Sequence, residues 1–85
     1  MIYVDRPIYK YGRMMMCHMV GDTTDELLDM ATKIGVNQKW IQKSGTPSEH
    51  FDVCVSKRSL AIKLGAMEVT SRDLVNIIKR KRLSF

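Results

Sequence analysis

Helix-start and helix-stop signals alternate with short apolar segments along this chain, and the alternation indicates its fold class. The clearest helix start spans 21–26, where Thr23 and Glu26 have the spacing of a capping box and acidic side chains complement the helix dipole. Gly35 stands where a helix commonly ends. These signals predict a first helix over 24–34.

Similar signals predict two further helices in the second half of the chain. Ser56 is a candidate cap for the second helix, which ends at Gly65, and Thr70 or Ser71 caps the third, which closes with four basic residues. Short apolar or β-favouring segments precede the helices. The predicted strands are 2–4, 38–42 and 66–69; the segment 14–20 is either strand or helix, and 50–53 leads into the second helix.

Strands and helices that alternate with short connections are typical of a parallel sheet covered by helices. We therefore expect residues 1–85 to form one small α/β domain, in which a parallel sheet and three helices pack in two or three layers. A chain of 85 residues buries only about 60–65% of the surface that its unfolded form exposes. Pairing with a second copy would add stability, so a homo-oligomer is one expected partner state.

The net charge of +5 is concentrated in the last third of the chain. Residues 1–54 carry six Lys/Arg and seven Asp/Glu, which gives −1, whereas residues 55–85 carry eight and two, which gives +6. A basic segment attracts phosphates, nucleic acid or acidic partners, although a solvated helix face has the same composition.

The sequence indicates a cytosolic protein without a membrane partner. No apolar run approaches the roughly 20 residues that span a membrane, and the first residues resemble a strand rather than a signal peptide. Cys17 and Cys54 are the only cysteines and are predicted to be free thiols. Adjacent Cys17 and His18 cannot easily bind one tetrahedral ion, and C-x-x-C is absent, so no metal and no other cofactor are predicted.

Polar side chains follow the predicted strands, at the position where α/β sheets bind ligands. Arginine and lysine bind phosphates, aromatic rings stack on bases, and histidine exchanges protons. Lys57 and Arg58 stand at a predicted helix start, where the helix dipole disfavours cations. Their position is explained equally well by a bound anion or by side chains that simply point into solvent. We expect one cleft that binds an anionic, nucleotide-like ligand. The predicted binding residues are Asp5, Arg6, Tyr9, Arg13, His18, Trp40, Gln42, His50, Asp52, Lys57 and Arg58.

A series of short motifs runs through nearly the whole chain. They are Tyr3-Val4-Asp5, Gly12-Arg13, Cys17-His18-Met19, Asp22-Thr23, Asp25-Glu26-Leu27, Trp40-Ile41-Gln42, His50-Phe51-Asp52, Ser56-Lys57-Arg58 and Leu64-Gly65-Ala66. Together they resemble a small family of bacterial and phage proteins catalogued as a domain of unknown function. Ile41 and Phe51 depart from the aromatic and the tyrosine that are more usual there. The resemblance implies a compact domain in a bacterial cytoplasm, and small phage proteins of this size often act on host defence by sequestering a nucleotide signal or by blocking a protein.

A second resemblance, carried by Asp5 and the segment 65–73, is to PIN-like nucleases, which hold Mg²⁺ or Mn²⁺ between carboxylates. It implies a metal-dependent nuclease or phosphohydrolase using Asp5, Asp22 and Asp73, with Asp52 in reserve. A third alternative is a nucleic-acid or protein-interaction module that uses the basic C-terminus. No phosphate-loop or dinucleotide motif is present, and the mixture of Arg, His, Tyr, Trp and Gln favours a non-enzymatic binder.

Overall fold

The structure, a computed structural model, describes residues 1–6 and 9–84, so positions 7 and 8 of the first loop lie outside the described residues. It has the expected small α/β fold, with strands and three α-helices in alternation. The strands are β1 (Ile2–Val4), β2 (Tyr9–Tyr11), β3 (Met14–Gly21), β4 (Phe51–Cys54) and β5 (Met67–Glu68). The helices are α1 (Thr24–Lys33), α2 (Val55–Lys63) and α3 (Ser71–Arg82).

The sheet is mixed rather than parallel, and β3 is its central strand. Met16 pairs with Tyr9 of β2 on one edge of β3 and with Cys54 of β4 on the other. Met19 lies in the same way between β1 and β4. The strands β1 and β2 therefore share one edge of β3, and all three neighbours of β3 are antiparallel to it. Among the described strands, only β5 pairs in parallel, with β1.

A tight hairpin accounts for the antiparallel pairing. Tyr11 pairs with Met14, which leaves Gly12 and Arg13 as a two-residue turn. Gly12 has a φ of 61°, and a positive φ at the first turn residue is the position that type II′ hairpins give to glycine. The chain direction reverses within these residues, so the ambiguous segment 14–20 becomes a strand antiparallel to β2.

Local helix signals located the helices to within a residue or two at most ends. Thr23 caps α1, and Thr70 caps α3 in a reciprocal capping box. The second helix differs, because it begins at Val55 directly after β4 and has no side-chain cap. The predicted cap at Ser56 is therefore wrong, and 50–53, which was expected only to lead into the helix, contributes most of β4.

The predicted strand over 38–42 is also wrong. Gln38–Trp40 forms a 3₁₀ helix, and Gln42 then makes a single antiparallel bridge to His50. Asn37 accepts a hydrogen bond from the backbone N–H of Lys39, and such a side-chain bond favours a helical turn over a strand.

Different helices pack on the two faces of the sheet. Cys17 and Met19 of β3 point to the face that α1 and α2 cover, where Phe51 is fully buried in the main core. Burying a side chain of this size contributes about 1.5–3 kcal/mol. This face therefore supplies most of the apolar burial that holds the domain together.

The opposite face is covered by α3 and forms a smaller core. Val20 of β3 packs there against Leu74 and Ile77. Since side chains alternate along a strand, His18 lies on the same face as Val20, two residues closer to the β2 end. The tertiary fold thus places a histidine beside the α3-covered core, where it borders a cleft.

Candidate functional site

A cleft of about 350 Å³ opens beside α3 on this face of the sheet, and small-ligand pockets have volumes in this range. It combines an apolar wall with a polar end. The apolar side chains are Val20, Leu74, Val75 and Ile78. The polar residues are Asp5, His18, Lys43, Ser48, His50 and Ser71.

His18 is held in one orientation by Asp5, which follows β1 and is only 1% exposed. One Asp5 oxygen accepts the backbone N–H of His18 at 2.7 Å, and the other lies 2.9 Å from His18 Nδ1. A carboxylate accepts hydrogen bonds, so Nδ1 carries the ring proton. In the neutral ring, the Nε2 atom of His18 then presents a lone pair.

His50 is oriented in the same sense by a backbone carbonyl. Its Nδ1 lies 2.9 Å from the carbonyl oxygen of Ser48, which can only accept, so Nδ1 again carries the proton. The loop that leads to His50 is anchored by Glu49, which is fully buried and accepts hydrogen bonds from Thr24 Oγ1 at 2.6 Å and from the Gly45 N–H at 3.1 Å. A buried carboxylate therefore sets the position of this histidine.

Asp52 completes the cluster from β4, directly opposite His18 in the strand pairing. Gln42 Nε2 donates a hydrogen bond to Asp52 Oδ2. Asp52 Oδ1 is buried and has no hydrogen-bond partner among the described residues. It lies 3.6 Å from His50 Nε2 and 3.9 Å from His18 Nε2.

His18, His50 and Asp52 thus direct three lone-pair atoms at one point. One ligand atom from each residue lies within 4.8 Å of the other two. Two imidazole nitrogens and a carboxylate oxygen are ligands that divalent transition metals accept, and the same atoms can also hold a proton. The cluster can therefore act as an acid–base pair or as a metal site.

Tyr9 borders the cluster from β2. Its ring centroid is 5.7 Å from that of His18, whose ring meets His50 edge-on at 5.4 Å. Burial raises the pKa of Tyr9 to about 12, and the neighbouring Asp52 carboxylate adds to the shift. Tyr9 therefore stays protonated at neutral pH and is a hydrogen-bond donor beside the cluster.

The structure brings six of the predicted binding residues together: Asp5, Tyr9, His18, Gln42, His50 and Asp52. Arg58 lies behind them, where its guanidinium donates to the Asp5 backbone carbonyl at 2.7 Å and to Glu68 at 2.7 Å. These contacts hold Arg58 at the junction of β1, α2 and β5. Its charge is paired with Glu68 and is not directed into the cleft.

The other predicted residues lie elsewhere. Arg6 lines a separate depression with Glu68 and Thr70, and Arg13 lies in a shallow groove near Cys54. Lys57 extends its Nζ toward Gly35, while Trp40 is 64% exposed beneath the Lys39 ammonium. The expected convergence of histidine with the arginines and Lys57 is therefore absent among the described residues.

The three carboxylates proposed for a PIN-like centre do not face one another. Asp5 follows the end of β1, whereas Asp22 lies beside Met1 at the beginning of this strand. Four residues of extended chain from Met1 to Asp5 span about 13 Å, so the two carboxylates lie at opposite ends of β1. Asp73 is engaged in the α3 capping box. No Asp5–Asp22–Asp73 metal cluster exists in the described part of the chain.

Both cysteines are free, as predicted, and their environments differ. Burial raises the pKa of Cys17 to about 12, and the nearby Asp5 charge adds to the shift. Cys54 precedes α2, where hydrogen bonds from Ser56 and from the backbone N–H of Lys57 lower the pKa of its thiol. Neither sulfur belongs to the histidine–carboxylate cluster among the described residues.

The cleft is also lined by Lys43, Ser48 and Ser71, which are not among the predicted binding residues. Lys43 and Ser71 do follow predicted strands, but whether they reach the cleft is set by the packing of the whole fold. A local signal for the cluster did exist. His50 and Asp52 are two residues apart, so assigning a strand to this segment would have placed both side chains on one face.

The fold and the site define the class of protein: a small α/β domain with a histidine–carboxylate cluster beside an apolar-walled cleft. The chain belongs to the family DUF4031, described as a protein of unknown function, whose sequence profile matches residues 2–81. This confirms the family resemblance that the motifs predicted; the likeness to PIN-like nucleases stays a prediction.

The comparisons add no activity. No curated protein matches the chain, and no solved structure matches it. Within the described residues, none of the helices is long and apolar enough to cross a membrane.

Proposed function

We propose that the chain is a non-enzymatic binding domain for a small anionic ligand, of nucleotide-like chemistry, that occupies the cleft beside α3. The observation that carries this proposal is the two-sided character of the cleft. Apolar atoms of Leu74, Val75 and Ile78 form one side, and His18, His50 and Lys43 border the other. A ligand with a flat apolar ring and an anionic group matches both sides.

The basic end of the cleft is built differently from the sequence expectation. Lys43 supplies the cationic side chain in place of the arginines, and a φ of 54° at this residue fixes the turn that carries it. Ser71 is the first residue of α3, where backbone N–H groups favour an anion; the Asp73 carboxylate of the capping box occupies part of this helix start. An anionic group would therefore lie between Lys43 and the start of α3, with the ring against Val75.

The proposal includes a cellular role. We infer that the protein acts in the cytoplasm of a bacterial host and that copies encoded by phages sequester a nucleotide signal of host defence. The family resemblance and the size of the chain support this role, and the histidine-bordered cleft supplies a place for the signal.

Isothermal titration calorimetry with adenosine monophosphate, adenosine and inorganic phosphate tests the proposal. Each titration is run once with a chelator and once with a divalent metal, so that a metal requirement does not hide binding. We expect adenosine monophosphate to bind more tightly than either fragment, because it contacts both sides of the cleft. No heat from any probe in either condition would contradict the proposal.

Two pairs of variants locate the binding. Val75→Asp places a charge on the apolar wall and is expected to weaken binding about 10-fold or more, which corresponds to about 1.4 kcal/mol. Val55→Asp is the matched control, since Val55 is similarly exposed but lies away from the cleft. Lys43→Gln should weaken the binding of adenosine monophosphate but not that of adenosine. Lys63→Gln should leave the affinity for both probes unchanged.

A further inference from the structure

When both imidazoles are neutral, the centre of the histidine–carboxylate cluster contains three acceptor atoms, and the Tyr9 hydroxyl is a donor at its border. His18 Nδ1 and His50 Nδ1 face Asp5 and the Ser48 carbonyl, so in the neutral rings both Nε2 atoms present lone pairs. Asp52 Oδ1, the atom they face, is buried without a hydrogen-bond partner among the described residues. Three lone pairs in one place repel one another, and a cation between them removes the repulsion.

Direct hydrogen bonds within the cluster do not account for this arrangement. The Asp52 Oδ1 separations of 3.6 Å to His50 and 3.9 Å to His18 exceed the length of a protein hydrogen bond. A protonated histidine that donated to Asp52 would draw the two atoms together to about 2.8 Å. The two separations leave room for a third atom between the side chains.

A divalent transition metal fits these distances. Ligands about 2.1 Å from a tetrahedral ion lie about 3.4 Å from each other. The Asp52–His50 separation is longer by about 0.2 Å and the Asp52–His18 separation by about 0.5 Å, and the His18 and His50 ligand atoms lie within 4.8 Å of each other. Binding of the ion would therefore draw the three side chains closer together.

The surroundings have the organisation of a metal site. Metal-bound histidines commonly donate their other N–H to a carboxylate or a carbonyl, which fixes the tautomer and the ring direction. Asp5 does this for His18, the Ser48 carbonyl does it for His50, and Gln42 holds the second oxygen of Asp52. Each of the three ligands therefore has a partner that orients it.

We propose that His18 Nε2, His50 Nε2 and Asp52 Oδ1 bind one divalent transition-metal ion. Imidazole and carboxylate ligands suit zinc, iron(II), manganese(II) or cobalt(II), and three protein ligands leave at least one position open. Because His18 and His50 border the cleft, an oxygen of an anionic ligand can occupy the open position. The site goes beyond the proposed function and stands without it, because all three ligands belong to the protein.

Metal titration of the chelator-treated protein tests the proposal. With cobalt(II) as the probe, we expect one ion per chain and the visible absorption of a low-symmetry site, and zinc should displace the cobalt. His50→Ala and Asp52→Asn should each weaken binding at least about 10-fold. Asp29→Asn is the control, since Asp29 pairs with Lys33 at the exposed surface of α1, outside the cluster.

Two further measurements test the proposal even if a ligand variant fails to fold: one uses the unsubstituted protein, and the other uses a variant outside the proposed ligand set. In the unsubstituted protein, ¹⁵N spectra of the imidazoles should show zinc-dependent shifts at Nε2 of both histidines while Nδ1 keeps its proton. Cys54→Ser should bind the metal with unchanged affinity, because the thiol lies outside the ligand set. Absence of stoichiometric uptake by the unsubstituted chain, or uptake unaffected by Asp52→Asn and His50→Ala, would overturn the proposal.

Discussion

Replacing Asp5 by asparagine tests how the cluster is organised. The carboxylate accepts two hydrogen bonds from His18, at 2.7 Å from the backbone N–H and at 2.9 Å from Nδ1. Asparagine has one acceptor oxygen and one NH₂ donor. With the oxygen kept on the backbone N–H, the NH₂ group faces Nδ1, and the His18 proton must move to Nε2.

The cost in stability follows from these two contacts. A hydrogen bond to a charged group contributes about 1.5–3 kcal/mol and a neutral one about 0.5–1.5 kcal/mol, so the change removes about 2–3 kcal/mol in total. Burying an amide costs less than burying a carboxylate, which offsets part of the loss at a residue only 1% exposed. We expect Asp5→Asn to lower the free energy of unfolding by about 1–2 kcal/mol and Tm by about 5–15 °C.

Thermal and urea unfolding in the presence of a chelator measure the stability change, and imidazole ¹⁵N spectra identify the tautomer. Asp29→Asn is the control, because its exposed ion pair with Lys33 contributes about 0.3–0.5 kcal/mol. Metal affinity should also fall about 10–100-fold in Asp5→Asn, since His18 Nε2 then carries a proton. An Asp5→Asn protein with unchanged Tm and with the proton still on His18 Nδ1 would refute this reasoning.

Three other predictions concern the thiols and the core. At pH 8 a pKa of about 12 leaves about one Cys17 thiol in 10⁴ ionised, whereas the pKa of Cys54 is lowered and its thiol is less buried. Iodoacetamide should therefore label Cys54 much faster than Cys17, and equal labelling of the two thiols by mass spectrometry would contradict this. Folding raises the pKa of Cys17, so the thiol of the unfolded chain loses its proton at a lower pH than the thiol of the folded chain. The free energy of unfolding should therefore fall as the pH rises from about 9 toward 12. Urea titrations over this pH range should show a smaller fall for Cys17→Ala. Phe51→Ala should lower the free energy of unfolding by about 3–5 kcal/mol, because Phe51 is fully buried. Leu60→Ala should lower it by under about 1 kcal/mol in the same urea titration, because this side chain is 42% exposed. Similar decreases for the two variants would contradict the assignment of Phe51 to the core.

Local sequence signals were sufficient for the helices. The capping residues Thr23 and Thr70 satisfy backbone donors within three or four residues, so their effect does not depend on the rest of the fold. The same holds for the glycine turn at Gly12, whose hairpin was present in the sequence but was interpreted only as a loop. Three helices and the α/β class were therefore predictable from short stretches of the chain.

The candidate site was predictable only in part. His18, His50 and Asp52 were named as binding residues, and their residue types carry proton and metal chemistry wherever they occur. The spacing of candidate ligands argued against a metal site, because spacing rules consider only residues that are close together along the chain. Pairing β3 with β4 sets His18 opposite Asp52, although 34 positions separate them in the sequence.

The sequence by itself determined where α1 and α3 begin, because capping chemistry acts over a few residues. Only the tertiary structure decided that the sheet is mixed, that the arginines and Lys57 separate from the histidines, and that α3 forms one wall of the cleft. Strand pairing and the packing of α3 depend on contacts between distant residues. The burial of Asp5 and the orientation of His18 follow from those contacts and have no local signature.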